Sequence, residues 1–314
     1  METRYHLGID VGGTKVAFRV ESGTACVEET SFGWGPRHRA EADLAQLATH
    51  VAGLRDRLGG PLAAVGVAMP GTVGPDGRVV TWPSRPEWTD VDLKTVLREL
   101  FPEAAVAWAD DGDLGALAEA QASGCENLLY LGIGTGVGGG LVLGGVPCPG
   151  LGRGSFEIGH MLVELGGARC VCGRRGCLQA LASGPATLRR AGSLRGADVT
   201  FDDLREAVRG EEPWAIEGID ATARALAAAV TSVQELVHPE RALLGGGFAA
   251  GIPELTGLVA GHLDALARPG LSPLPLAPAA LGGLSSLRGA VALARLIAGG
   301  SGERENVTQW STHD

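Results

Sequence analysis

The stretch YHLGIDVGGTK, residues Tyr5 to Lys15, runs as an apolar segment that ends on a carboxylate, turns on two glycines and then offers a hydroxyl. An apolar run closed by glycine reads as a strand and a tight turn. Glycine carries no Cβ, so Gly12 and Gly13 let backbone N–H groups close in on an anion, and Thr14 can hydrogen-bond the same group. A carboxylate beside phosphate is repelled unless a divalent cation intervenes. Asp10 therefore makes physical sense as an anchor for Mg²⁺, through water, at a turn formed by Gly12, Gly13, Thr14 and Lys15.

Two further glycine clusters follow strand-like runs: LGIGTGVGGG from Leu131 and LLGGGFAAG from Leu243. Gly134, Gly136 and Gly139 form a formal G-x-G-x-x-G. The dinucleotide fingerprint requires a helix to open at its last glycine, whereas this chain continues GGLVLGGVP, a short apolar strand and a turn. No G-x-x-x-x-G-K-[ST] occurs in the chain. What remains is a hairpin whose tip, Gly134, Thr135 and Gly136, presents hydroxyl and amide donors. One such cluster alone reads as a plain turn, but three far apart in sequence, with Gly245, Gly246 and Gly247 as the third, imply one nucleotide gripped from two sides.

The remaining order of elements is that of an α/β protein. Strand-like runs at Tyr5 to Ile9, Leu62 to Ala68, Ala104 to Ala109, Leu128 to Leu131, Gly140 to Leu143 and Ala242 to Leu244 alternate with helical periodicity at Leu44 to Leu58, Leu114 to Gln121, Ile219 to Val237 and Leu287 to Ile297. The chain of 314 residues carries a net charge of -10 and no stripe of Lys and Arg, which argues against a nucleic-acid partner. No apolar run approaches a membrane span and the start lacks a signal-peptide pattern, so the expected compartment is the cytoplasm. The polar tail from Gly299 to Asp314 reads as disordered.

FEIGHMLVELGGARCVCGRRGCLQA, residues Phe156 to Ala180, brings together Cys170, Cys172 and Cys177 with His160 ten residues before the first cysteine. Three thiolates and an imidazole suit tetrahedral Zn²⁺, and with all four positions filled no open site is left for an activating water. The zinc is therefore expected to be structural. A disulfide plus one free thiol is the competing pattern, disfavoured in a reducing compartment. Metal on one ring nitrogen of His160 would fix the orientation of the other.

Together these motifs resemble a known superfamily. LGIDVGGTK, GIGTGVGGG and LLGGG are similar to the two phosphate motifs and the adenosine motif of actin-like ATPases. EIGHM followed by CVCGRRGCLQ resembles the C-x-C-G-x-x-G-C-x-E signature of the ROK family, named for repressors, open reading frames and kinases. The resemblance covers about residues 5 to 298. It implies an α/β, two-domain actin-like ATPase (ribonuclease H-like) fold with an interdomain cleft. Residues 1–112 plus about 287–298 would form an N-terminal domain, 113–286 a C-terminal one, and 299–314 the tail. It implies ATP and Mg²⁺ held by Asp10 to Lys15, Gly134 to Gly136 and Gly245 to Gly247, the same four zinc ligands, a sugar beside Glu157, His160 and Gly71, and a homodimer.

Phosphoryl transfer to a hydroxyl needs a carboxylate to accept the proton. AWADDGDLGALAEAQ, from Ala107, places three aspartates where a strand gives way to a helix. The resemblance puts the catalytic base at Asp111, with Asp110 where the family usually has Asn. Helix capping is the bland role for an aspartate here, and Asp113, nearest the helical run, fits it better.

Three positions depart from a glucose-handling pattern: Gln179 stands for Glu, Ser84 for Asn, and Asp110 for Asn. All three are expected around the acceptor, so the chemistry reads as kept and the acceptor as altered. Gln both donates and accepts hydrogen bonds, and sites built for particular hydroxyls discriminate sharply. Two acceptors fit: a hexose phosphorylated at its primary hydroxyl, as in glucokinases, or a sugar-like C7 cyclitol. A sugar-sensing transcriptional regulator is a further alternative. Such regulators carry a helix-turn-helix ahead of the first motif, and only nine residues precede Asp10.

Overall fold

The computed structural model describes residues 4–35, 39–150, 154–299 and 307–309. The chain divides into two compact units. The first comprises 1–118, 147–155 and 284–314, and the second 119–146 and 156–283. The first segment of the first unit ends at Ala118, inside a helix.

In the first unit, β1 (Tyr5–Val11), β2 (Lys15–Ser22) and β3 (Ala25–Gly33) form an antiparallel meander, followed by α1 (Ala40–Arg57) and β4 (Leu62–Ala68). Short strands β5 (Thr72–Val73) and β6 (Val79–Thr81) precede α2 (Leu93–Leu100), β7 (Ala105–Ala109) and α3 (Asp111–Ser123). The sheet runs β13-β7-β4-β1-β2-β3, where β13 is Val307–Gln309 and pairs parallel with β7. Three residues of the expected disordered tail are thus in a strand; 300–306 and 310–314 lie outside the described residues.

β4 is buried on both faces in its second half, as a central parallel strand requires, and reads LAAVGVA. α10 (Ser285–Gly299) covers one side of the sheet through Ala290, Val291, Leu293 and Ala294. The other side holds the larger core, from Leu7, Ile9 and Phe18 through Leu47 and Leu54 to Trp82, Trp88 and Trp108. Register is what positions the chemistry. Asp10 of β1 pairs with Ala68 of β4, and Ala68 pairs with Ala109 of β7. The residues just beyond β1 and β7 therefore emerge at one edge, outside the carboxyl ends of parallel strands, where α/β sheets bind ligands.

The second unit repeats that arrangement around β8 (Leu128–Ile133), β9 (Val137–Leu143), β11 (Arg241–Gly245) and β12 (Leu276–Pro278); with β10 (Val146–Cys148), where the chain passes back to the first unit, the strand order is β10-β9-β8-β11-β12. Helices α4 (Leu178–Ala182), α5 (Gly184–Arg195), α6 (Phe201–Arg209), α7 (Pro213–Val237), α8 (Gly247–Gly251) and α9 (Glu254–Ala265) complete it. Gly245 of β11 pairs with Gly132 of β8, so the glycines following both strands again share an edge. Among the described residues no helix is long and apolar enough to cross a membrane.

Candidate phosphate, acceptor and metal sites

In the first unit Asp10 closes β1, and the chain turns through Gly12, Gly13 and Thr14 into β2. The Gly12 N–H donates to the Lys15 carbonyl at 2.9 Å, which closes the turn. Gly13 has no room for a side chain: a Cβ there would lie 2.6 Å from Ser84 Oγ. Ser84, expected at the acceptor, thus packs directly on the turn expected to hold phosphate. Asp111 opens α3 one residue past Asp110. Burial, then the nearby Asp111 charge, push the Asp10 carboxyl up to about 6 against the opposing pull of Lys15. Such an excess of negative charge suits a divalent cation.

The capping role falls differently from the sequence expectation. Asp110 Oδ1 accepts from the Gly112 N–H at 2.9 Å, while Asp113 is buried inside the first turn at 3% exposure. The cause is that β7 stops at Ala109 and the helix starts at once, which leaves Asp110 as the residue before it. A pocket beside these carboxylates is lined by Met69, Gly71, Trp108, Asp110, Asp113 and Ser155 among others, with no Lys or Arg among the described lining residues.

In the second unit Gly134, Thr135 and Gly136 form the tip of the β8–β9 hairpin, with the Gly134 N–H donating to the Gly136 carbonyl at 2.9 Å. The chain then enters β9, a strand, as the sequence implied. Gly246 follows β11 with φ 83°, a conformation natural to glycine, and a Cβ there would lie 2.4 Å from the Ile133 carbonyl oxygen. Gln179 Oε1 accepts from the Val137 N–H at 3.1 Å, so this oxygen, expected to meet the acceptor, holds the glycine hairpin in place.

Glu157 precedes a single 3₁₀ turn, Ile158–His160, and its carbonyl accepts from the His160 N–H at 2.9 Å. The ligand atoms of His160, Cys170, Cys172 and Cys177 all lie within 4.8 Å of one another. Cys172 Sγ is 3.6 Å from Cys177 Sγ, and Cys170 Sγ is 3.7 Å from His160 Nδ1. A tetrahedron of Zn–S bonds of about 2.3 Å has edges of roughly 3.8 Å, which these two separations match, so the set fits zinc once its wider separations close by about 1 Å or less. The backbone N–H of Arg174 is the main influence that holds the Cys172 thiol down, to about 6, favouring the thiolate a metal needs.

Sequence reasoning missed a polar cluster under the phosphate turn. Asp43 of α1 and Arg85 form a buried ion pair, at 2% and 1% side-chain exposure, and Trp88 Nε1 donates to Asp43 Oδ2 at 2.9 Å. Nothing in the spacing announces it, because its members come from separate elements. The one available signal was the density of Trp in TWPSRPEW. His262 of α9 meets Asp220 of α7 at 2.7 Å.

Two α/β units, each with glycine turns at the carboxyl edge of its sheet, define the actin-like ATPase class. The ROK family model matches residues 6–296, and the chain belongs to that family. It is 78% identical over 300 residues to a kanosamine kinase of Amycolatopsis mediterranei, covering 96% of this chain and 99% of that protein. Among solved structures, the ROK hexokinase of Thermus thermophilus superposes with a TM-score of 0.81 at 31% identity, over 93% of this chain and 98% of that one. A ROK family glucokinase of Streptomyces griseus, in complex with glucose and AMPPNP, gives a TM-score of 0.77 at 25% identity, over 93% and 99%.

Proposed function

We propose that this protein is an ATP-dependent sugar kinase whose acceptor is the amino sugar kanosamine, phosphorylated at its primary hydroxyl. The observation that carries the reading is the 78% identity with a kanosamine kinase across 96% of the chain. Kanosamine is glucose with an amino group in place of one ring hydroxyl, and that amine is cationic at neutral pH. A cation binds best where carboxylates are gathered, and Asp110 and Asp113 both line the pocket at the start of α3. Asp110 is also the position where the ROK resemblance leads one to expect a neutral Asn.

In this reading Asp111 accepts the proton of the attacking hydroxyl, Asp10 anchors Mg²⁺ through water, and Gly12 to Lys15 cradle phosphate. Gly134 to Gly136 supply further phosphate donors, and Gly245 to Gly247 border the adenosine. Glu157 and His160 bond acceptor hydroxyls. Bound to His160, Cys170, Cys172 and Cys177, zinc would act structurally, fixing the imidazole that meets the substrate. A homodimer follows from the family resemblance and is read directly by light scattering.

Glucose is the second reading, favoured by the glucokinase from Streptomyces griseus in complex with glucose and AMPPNP. The cyclitol alternative rests on the substitutions at Ser84, Asp110 and Gln179 alone. ADP release measured with kanosamine, glucose, other amino sugars and cyclitols separates them. Kanosamine is expected to give the highest kcat/KM. Turnover of glucose or a cyclitol with none of kanosamine would reject the reading.

A further inference from the structure

The buried cluster beside the first phosphate turn is aimed at backbone. Arg85 Nε donates to the Gly13 carbonyl at 3.0 Å, and Trp34 Nε1 donates to the Gly12 carbonyl at 2.8 Å. The Trp34 backbone N–H takes the Thr14 carbonyl at 3.1 Å. Three successive carbonyls are thus gripped. The donors are themselves fixed. Arg85 is paired with Asp43, whose carboxylate also accepts from Trp88, and the guanidinium lies 4.5 Å from the Trp34 ring centroid. The rings of Trp34 and Trp88 meet edge to face at 6.1 Å.

A peptide unit is planar, with its C=O and the following N–H pointing in opposite directions. Pinning the Gly12 and Gly13 carbonyls therefore turns the N–H groups of Gly13 and Thr14 away from the cluster. Those two N–H groups are the donors a phosphate needs on a glycine turn. An ion pair this deep carries a desolvation penalty that apolar packing would avoid, so its presence calls for a role beyond stability.

We propose that Arg85, held by Asp43, and Trp34 are positioning residues that preset the peptide planes of Gly12 to Thr14 for phosphate. Arg85 also adjoins Ser84, whose hydroxyl packs on Gly13. Preset dipoles need no reorganisation when the phosphoryl group transfers. The proposal rests on the kinase reading above.

Two variants test it. Trp34→Phe keeps a ring against Phe32, Trp88 and Arg85 and removes only the donor to Gly12. Arg85→Lys keeps a charge opposite Asp43 and removes the planar fork that reaches both Asp43 and Gly13. Calorimetry with AMPPNP and Mg²⁺ reads nucleotide Kd without any acceptor. Each variant is expected to weaken AMPPNP binding and raise the KM for ATP about tenfold, the scale of one lost hydrogen bond, while the acceptor KM holds within about twofold. Arg85→Lys can lower the melting temperature, whereas Trp34→Phe leaves the ion pair whole and keeps the test open should the lysine variant not fold. A folded Trp34→Phe with wild-type AMPPNP affinity and wild-type KM for ATP overturns the proposal. Wild-type protein that binds no nucleotide overturns both this proposal and the kinase reading, and binding without turnover of any sugar counts against the acceptor assignment alone.

Discussion

Asp10 and Asp111 belong to different strand–turn junctions, yet the charge of Asp111 adds to burial in pushing the Asp10 carboxyl up to about 6. The sign of the consequence is fixed. The folded-state value lies above the ordinary 3.8, so the fold binds this proton more tightly than the unfolded chain does. The metal-free protein should then lose stability as pH rises from about 4 through about 6. Asp10→Asn should match wild type below about pH 4 and exceed it above pH 6 by up to about 3 kcal/mol, read from urea midpoints across that range. Saturating Mg²⁺ should narrow the difference. Equal midpoints at pH 8 without metal would show that neither burial nor the Asp111 charge strains ionised Asp10.

Asp111→Ala removes the proposed proton acceptor and the repulsion it exerts on Asp10, while the larger effect of burial stays. A fall in kcat of about 10² to 10⁴ is expected with nucleotide binding retained. The Asp10 carboxyl should relax toward its ordinary range, visible as a flatter stability profile with pH. Wild-type turnover would remove Asp111 from the mechanism.

Asp110→Asn tests the charge at the acceptor pocket while sparing the helix, since Asn caps as well as Asp. The ratio of kcat/KM for kanosamine over glucose should fall roughly tenfold or more, the usual scale for losing a charged hydrogen bond. The melting temperature should stay close to wild type. An unchanged ratio would place amino-group recognition elsewhere.

Elemental analysis of the purified protein should find one zinc per chain. Stripping it with a chelator under conditions that keep the fold should raise the acceptor KM before it weakens AMPPNP, because His160 is both a proposed metal ligand and a proposed acceptor contact. A metal-free, folded sample with an unchanged acceptor KM would separate the metal from substrate binding.

The glycine turns, the Cys/His set and the aspartates at the β7–α3 junction were legible because each lies in one short stretch of sequence. β2 and β3 were not. Lys15–Ser22 alternates buried and exposed residues, but β3 is an exposed edge strand whose ACVEETSFG has little apolar signal. The Asp43, Arg85 and Trp34 cluster was invisible for a different reason. Its members lie tens of residues apart and meet only once α1 and the segment after β6 have packed. The capping role went to Asp110 because a helix that starts directly after a strand leaves only the intervening residue for the cap, a fact about where β7 ends. Gln179 shows the same limit: its identity announced an altered acceptor, and its contact is with the Val137 backbone.

The central claim is most directly tested by offering the enzyme equimolar kanosamine and glucose with limiting ATP and weighing the phosphorylated products by mass spectrometry. An aminohexose monophosphate in clear excess is the predicted result. A hexose monophosphate in excess, or no phosphorylated sugar while ATP is consumed, would contradict it.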